Sequence, residues 1–171
     1  MTTGYLCTRC REQHAELPFS YEAPAPTAWS TIPEADRAKR GVLGGEQCVI
    51  DGQHHFVKAR LLLPVADSKV PFEWVVWVAL DPNDFKRMSD LWKKSGREKE
   101  PGYPALLATR LPGYARDTVA LQGLLRTRPV GERPVLELEQ VDHPLVNEQK
   151  GGITRKRVQE LAELVRHGPQ Q

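Results

Sequence analysis

The chain has 171 residues, 40% of them hydrophobic and 27% charged, an ordinary composition for a soluble domain long enough to bury a core without disulfide support. Its formal net charge is +2, and the signs are interspersed: 7 basic and 7 acidic residues up to position 60, 9 and 8 up to 120, and 8 and 7 thereafter. Nucleic-acid binders concentrate cationic charge on one segment or face, so this distribution argues against that class. Three cysteines argue against a secreted disulfide framework, no apolar leader opens the chain, and the longest apolar run, Val75 to Leu80, is too short for a bilayer; a cytoplasmic protein without membrane contact is expected.

The first feature in chain order is Cys7-Thr8-Arg9-Cys10 followed by His14. Two cysteines separated by two residues can turn both sulfurs toward one tetrahedral ion, so residues 1–18 are read as a metal knuckle. Cys48 is the natural fourth ligand of a structural zinc site, with His54, His55 or His143 as alternatives. Against this, Cys48 stands beside Val49 and Ile50, where a cysteine serves equally as a small buried hydrophobe. A redox role for the pair is disfavoured, because no thioredoxin-like strand–helix setting surrounds it.

Residues 19–33 hold Pro24, Pro26 and Pro33 with Tyr21 and Trp29, which predicts an extended connection held down by aromatics, with Trp29 available for contact. The α+β core is assigned to residues 34–171, and the whole chain is read as one domain. A short helix from Pro33 to Arg40 stops at Gly41. Asp51-Gly52 then marks a hairpin between strands Gln47–Ile50 and His54–Leu63. In the second strand the alternation of apolar residues with Lys58 and Arg60 predicts a sheet with one wet side. Phe72–Leu80 is apolar on both faces and reads as a central strand.

Asp81-Pro82 starts a helix expected to run to Gly96, with Phe85, Met88, Leu91 and Trp92 on its apolar stripe. Further strands are expected near residues 105–110, 121–127 and 135–140. The last helix is predicted over Thr154 to Arg166, with Ile153 and Val158 as a hydrophobic staple. The fold class is α+β: a mainly antiparallel sheet, two principal helices and the N-terminal CxxC knuckle.

Two further groups are candidates. Asp142-His143-Pro144 follows a strand bearing Glu137 and Glu139, a polar set able to orient an imidazole, although a turn followed by a solvated face explains it as well. Arg155-Lys156-Arg157 opens the last helix, where the dipole disfavours cations by up to about 1 kcal/mol each. Compensation is expected from Glu148 or from an anionic partner, and Arg126, Arg128 and Arg133 can extend the basic patch. No nucleophile motif and no phosphate-binding glycine loop is present.

Several of these stretches together resemble a bacterial family called domain of unknown function 2199. They are Cys7-x-x-Cys10 with His14, Leu17 and Pro18; the strand Trp74 to Leu80; Arg110-Leu-Pro-Gly-Tyr114; Arg128 to Pro134; Glu137-Leu-Glu139; Asp142-His143-Pro144-Leu145; and Glu148-Gln149. The family pattern often has a glycine directly after the second cysteine, where this chain has Arg11. The resemblance implies one domain and brings no activity with it. The expected function is that of a small binding protein acting by protein–protein contact, zinc-stabilised, of which an antitoxin-like immunity protein is one class. The alternatives are a metal-dependent hydrolase and a nucleic-acid-binding module.

Overall fold

Asp51 and Gly52 take φ of 53° and 64°, left-handed values that aspartate tolerates and glycine adopts freely, and they turn strand β5 (Gln47–Ile50) back along β6 (His54–Leu63). β6 then pairs antiparallel over its length with β7 (Phe72–Leu80), His55 lying opposite Leu80 and Leu63 opposite Phe72. The computed structural model describes residues 4–169. In front of this pair come a small hairpin of β1 (Tyr5–Leu6) and β2 (Gln13–His14), then β3 (Ser20–Glu22), helices α1 (Thr27–Ser30) and α2 (Glu34–Arg40), and β4 (Gly41–Leu43). Behind it come helix α3 (Pro82–Asp90), strands β8 (Tyr103–Leu107), β9 (Gln122–Arg126) and β10 (Val135–Leu138), and helices α4 (Pro144–Gly151) and α5 (Arg155–His167).

The α+β class holds, but the sheet is not a simple antiparallel one. β6, β7, β8, β9 and β10 follow one another antiparallel, and β10 returns to β6 in parallel through Val135 opposite Arg60, closing a five-stranded barrel. β5 and β4 continue outward from β6, and β3 adds to β7 in parallel.

β7 divides the apolar interior. Trp74, Val76, Val78 and Leu80 face the barrel with Val57, Ala59, Leu61, Leu107, Leu125, Leu136 and Leu138, and α4 and α5 add Leu145, Val146, Val158 and Leu161 to that cluster. Each leucine so buried contributes about 1.5–3 kcal/mol. Trp77 faces the other way, into a smaller cluster with Ile32, Cys48, Ile50, Phe56 and Ala108. That second cluster overturns the expectation of a wet face on β6. Lys58 is buried there, its ammonium paired with Glu22 on β3 and 5.2 Å from the centre of the Trp77 ring. The alternation that looks like a solvated face is covered by β3 and the segment after it.

Local signals hold elsewhere. The Asn83 N–H donates to Asp81 Oδ1 at 2.8 Å, capping α3, and the Arg157 N–H donates to Thr154 Oγ1 at 3.1 Å, capping α5. α3 is shorter than expected. It ends at Asp90, and tight turns carry the chain through Trp92 to Gly96 (φ 83°), after which the guanidinium of Arg97 donates back to the Trp92 carbonyl at 2.7 Å. Among the described residues, no helix is long and apolar enough to cross a membrane.

Candidate metal centre

The β1–β2 hairpin brings Cys7, Cys10 and His14 together so that one ligand atom from each lies within 4.8 Å of the others. Backbone bonds shape the turn: the Cys7 N–H donates to Glu12 O at 3.0 Å and the Arg11 N–H to Cys7 O at 3.0 Å. The Cys10 N–H points at Cys7 Sγ at 3.5 Å, and Cys10 Sγ stands 3.4 Å from His14 Nε2. Arg11 has φ of 60°, the left-handed conformation that glycine adopts without strain. A glycine at this place would ease the turn, and the turn forms here with arginine. Tyr5 backs the imidazole, its ring centroid 5.0 Å from that of His14.

The two thiols are unlike. Burial works against the Cys7 thiolate, but the N–H groups of Cys10 and Arg9 and the Cys10 thiol outweigh it, so its pKa falls below the ordinary thiol value. For Cys10 the balance reverses. The Glu12 N–H favours its thiolate, yet burial, the hydrogen bond with Cys7 and the nearby negative charges of Cys7 and Glu12 together raise its pKa. The Cys10 thiol thus favours the Cys7 thiolate, whereas that thiolate opposes ionisation of Cys10 until a cation sits between them. Two sulfurs and a nitrogen at this spacing suit a borderline-soft, tetrahedral ion such as zinc better than calcium or magnesium, which take oxygen.

The knuckle is latched to α5. Thr8 donates its N–H to Glu163 Oε1 at 2.8 Å and its hydroxyl to Oε2 at 2.5 Å. Gln159 Nε2 donates to Leu6 O at 2.9 Å, and the Arg9 guanidinium donates to Gly168 O just past the helix end. The same docking places His167 Nε2 3.3 Å from Cys7 Sγ. His167 is absent from the candidates read from the sequence; it lies 153 positions beyond His14, and no local pattern links the two.

The remaining candidates fall elsewhere. Cys48 lies on β5 in the Trp77 cluster, apart from the trio, where burial pushes its thiol up to about 11. His55 Nδ1 stands 3.1 Å from Gln53 O, and the ring packs against Phe85. His143 is buried as the cap of α4: its Nδ1 accepts from the Leu145 N–H at 3.1 Å, and Nε2 lies 3.1 Å from Asp117 O. Both nitrogens of the imidazole are engaged by backbone, so it is not Asp142 that orients it; the exposed Asp142 instead stands 3.6 Å from Arg116. Trp29 is half-buried in α1 against the Trp77 cluster.

The arginines are largely tied to the protein's own acids. Arg126 pairs with Glu137 at 2.9 Å, Arg133 with Glu46 at 2.9 Å, and Arg157 with Glu148 at 2.7 Å, while Arg155 lies over the Phe19 ring. Glu148, the compensation expected from the sequence, also accepts from the Tyr114 hydroxyl at 2.6 Å. Arg128 and Lys156 are exposed.

A family model described as an uncharacterized protein conserved in bacteria (DUF2199) matches residues 6–153. No curated protein and no solved structure matches the chain.

Proposed function

The chain belongs to this uncharacterised bacterial family, DUF2199, and from that premise we propose that it is a zinc-stabilised binding protein acting by protein–protein contact. The observation that carries the reading is the convergence of Cys7, Cys10 and His14 on one point of a hairpin anchored to α5. Cys7 is only 1% exposed, which suits an ion that holds two segments together rather than one that receives a substrate. The metal-hydrolase reading needs a cavity beside the ligands. A groove of about 650 Å³ is instead lined by Glu46, Arg60, Trp92, Lys93 and Arg133.

The contact surface favoured by this reading is the outer edge of β4. That strand ends the sheet order, and its Val42 is 72% exposed. An edge strand with exposed apolar side chains offers unpaired backbone groups to an incoming strand. An antitoxin-like immunity protein falls within this reading, its partner being a toxin encoded beside it.

Metal analysis of protein purified without a metal-affinity tag tests the first half. About one zinc per chain, with a lower melting temperature after chelation, is expected; metal-free protein with an unchanged melt overturns it. The second half is tested by mixing the protein with such a neighbouring toxin. A stoichiometric complex lost in Val42→Lys supports it, and no complex with the wild-type chain counts against it.

A further inference from the structure

We propose that His167 is the fourth ligand of a Cys₂His₂ zinc site completed by Cys7, Cys10 and His14. The proposal rests on reading that trio as a metal site and extends it to the far end of the chain.

Distance is the first argument. Two ligands of one tetrahedral zinc, with Zn–S about 2.3 Å and Zn–N about 2.0–2.1 Å, stand about 3.6 Å apart. Cys10 Sγ and His14 Nε2 are 3.4 Å apart, and Cys7 Sγ and His167 Nε2 are 3.3 Å apart. The chain therefore offers two sulfur–nitrogen pairs at close to the separation that a shared ion imposes, and the two sulfurs belong to one turn. His167 lies outside the mutually close trio, but its imidazole is exposed and turns about its side-chain bonds without disturbing the core.

Placement is the second argument. His167 is the last residue of α5, whose carbonyl end carries partial negative charge and favours a cation. The bond from Arg9 to Gly168 O holds that end against the cysteine turn, so the backbone of His167 is fixed where the ligand is needed.

Charge is the third. Binding Zn²⁺ releases one proton from each of the two thiols, and two thiolates with two neutral imidazoles leave the filled site with no net charge, the form least penalised beside a buried Cys7. The ion would join residues 160 positions apart, closing nearly the whole chain. His167 also lies beyond residues 6–153, the span shared with the family.

The test is a competitive titration of the full chain with Zn²⁺ against a chromophoric chelator, and with Co²⁺ for its visible spectrum. It compares wild type with His167→Ala, His167→Cys and Cys48→Ser, all checked for fold by circular dichroism. One ion per chain is expected in the wild type. His167→Ala should weaken Zn²⁺ by more than the roughly 10–100-fold seen for loss of an outer-shell partner and should alter the Co²⁺ ligand-field bands. His167→Cys should restore tight binding and strengthen the sulfur-to-cobalt charge-transfer band, and Cys48→Ser should match the wild type. If His167→Ala keeps the wild-type affinity and spectrum, the three-ligand site stands and His167 is not a ligand. If the wild type binds neither ion, both readings fall.

Discussion

Thr8 and Glu163 form a two-point clasp, the N–H and hydroxyl of one residue meeting the two carboxylate oxygens of the other at 2.8 and 2.5 Å. Thr8 lies between the cysteines and Glu163 on the buried side of α5, so the clasp fixes the height of the knuckle above the helix. Burial alone would raise the Glu163 pKa. The hydrogen bonds from Thr8 and Gln159 and the charge of Arg9 outweigh it, and the net shift is downward.

The sign of the pH effect follows from that shift. A carboxyl whose pKa is lower folded than unfolded adds stability above the unfolded value, about 4.3 for a free glutamate, and loses it as pH falls through the folded value. Glu163→Gln removes this contribution and weakens two charge-assisted bonds, a cost of about 1–3 kcal/mol at neutral pH. Denaturant melts from pH 7 down to 3 should show the variant less stable at pH 7, with the gap closing toward acid. A gap independent of pH would mean that the carboxylate charge plays no part in the clasp.

The cysteines should separate by reactivity. Cys48 is 1% exposed with its pKa near 11, so it should resist iodoacetamide in the native protein with or without chelator. Cys7 and Cys10 should be shielded when metal is bound, and after chelation Cys10 should be labelled first despite its higher pKa, because access to the 1% exposed Cys7 is blocked. Mass spectrometry of peptides from the two conditions reads this directly. Native labelling of Cys48 would remove it from the core position assigned here.

Asp142 and His143 should behave oppositely although adjacent. His143→Ala unpairs the Leu145 N–H and removes the contact with Asp117 O inside the protein, at a cost of about 1–3 kcal/mol. Asp142→Ala removes a 92% exposed carboxylate 3.6 Å from Arg116 and should stay within about 0.5 kcal/mol of the wild type. Equal losses in the two variants would revive a joint role for the pair.

How far the sequence reaches depends on the range of each interaction. The Asp51-Gly52 turn, the Asp81-Pro82 start of α3 and the Thr154 cap of α5 are set by neighbours a few positions apart, and each is where the sequence indicates. The cysteine turn with His14 is legible for the same reason. Barrel closure is not, because it rests on Val135 meeting Arg60, far apart in the chain and in a parallel pairing with no hairpin to announce it. Lys58 misleads because alternation reports which residues share a face and says nothing of what covers that face. His167 escapes notice for both reasons: it is remote from its neighbours in space, and it stands at an exposed helix end where histidine is unremarkable.

Arg97 shows the same limit and supports the last prediction. Nothing in its charged neighbourhood sets it apart, yet it is 5% exposed. Its guanidinium donates to four backbone carbonyls: Arg128 O and Glu132 O at 2.8 Å, Trp92 O at 2.7 Å and Pro129 O at 3.1 Å. It also lies 5.1 Å from the centre of the Trp92 ring. These bonds fold the 128–132 turn, which leads into β10, against the end of α3. A planar fork reaches several carbonyls at once, whereas a lysine carries one compact ammonium on a flexible stem. Arg97→Ala should therefore cost about 3 kcal/mol or more, and Arg97→Lys should recover only part of it. In urea the midpoint should fall for both with the slope unchanged, since the loss is of native-state bonding and not of cooperativity. Full recovery by lysine would show that charge alone, without the fork, holds the turn.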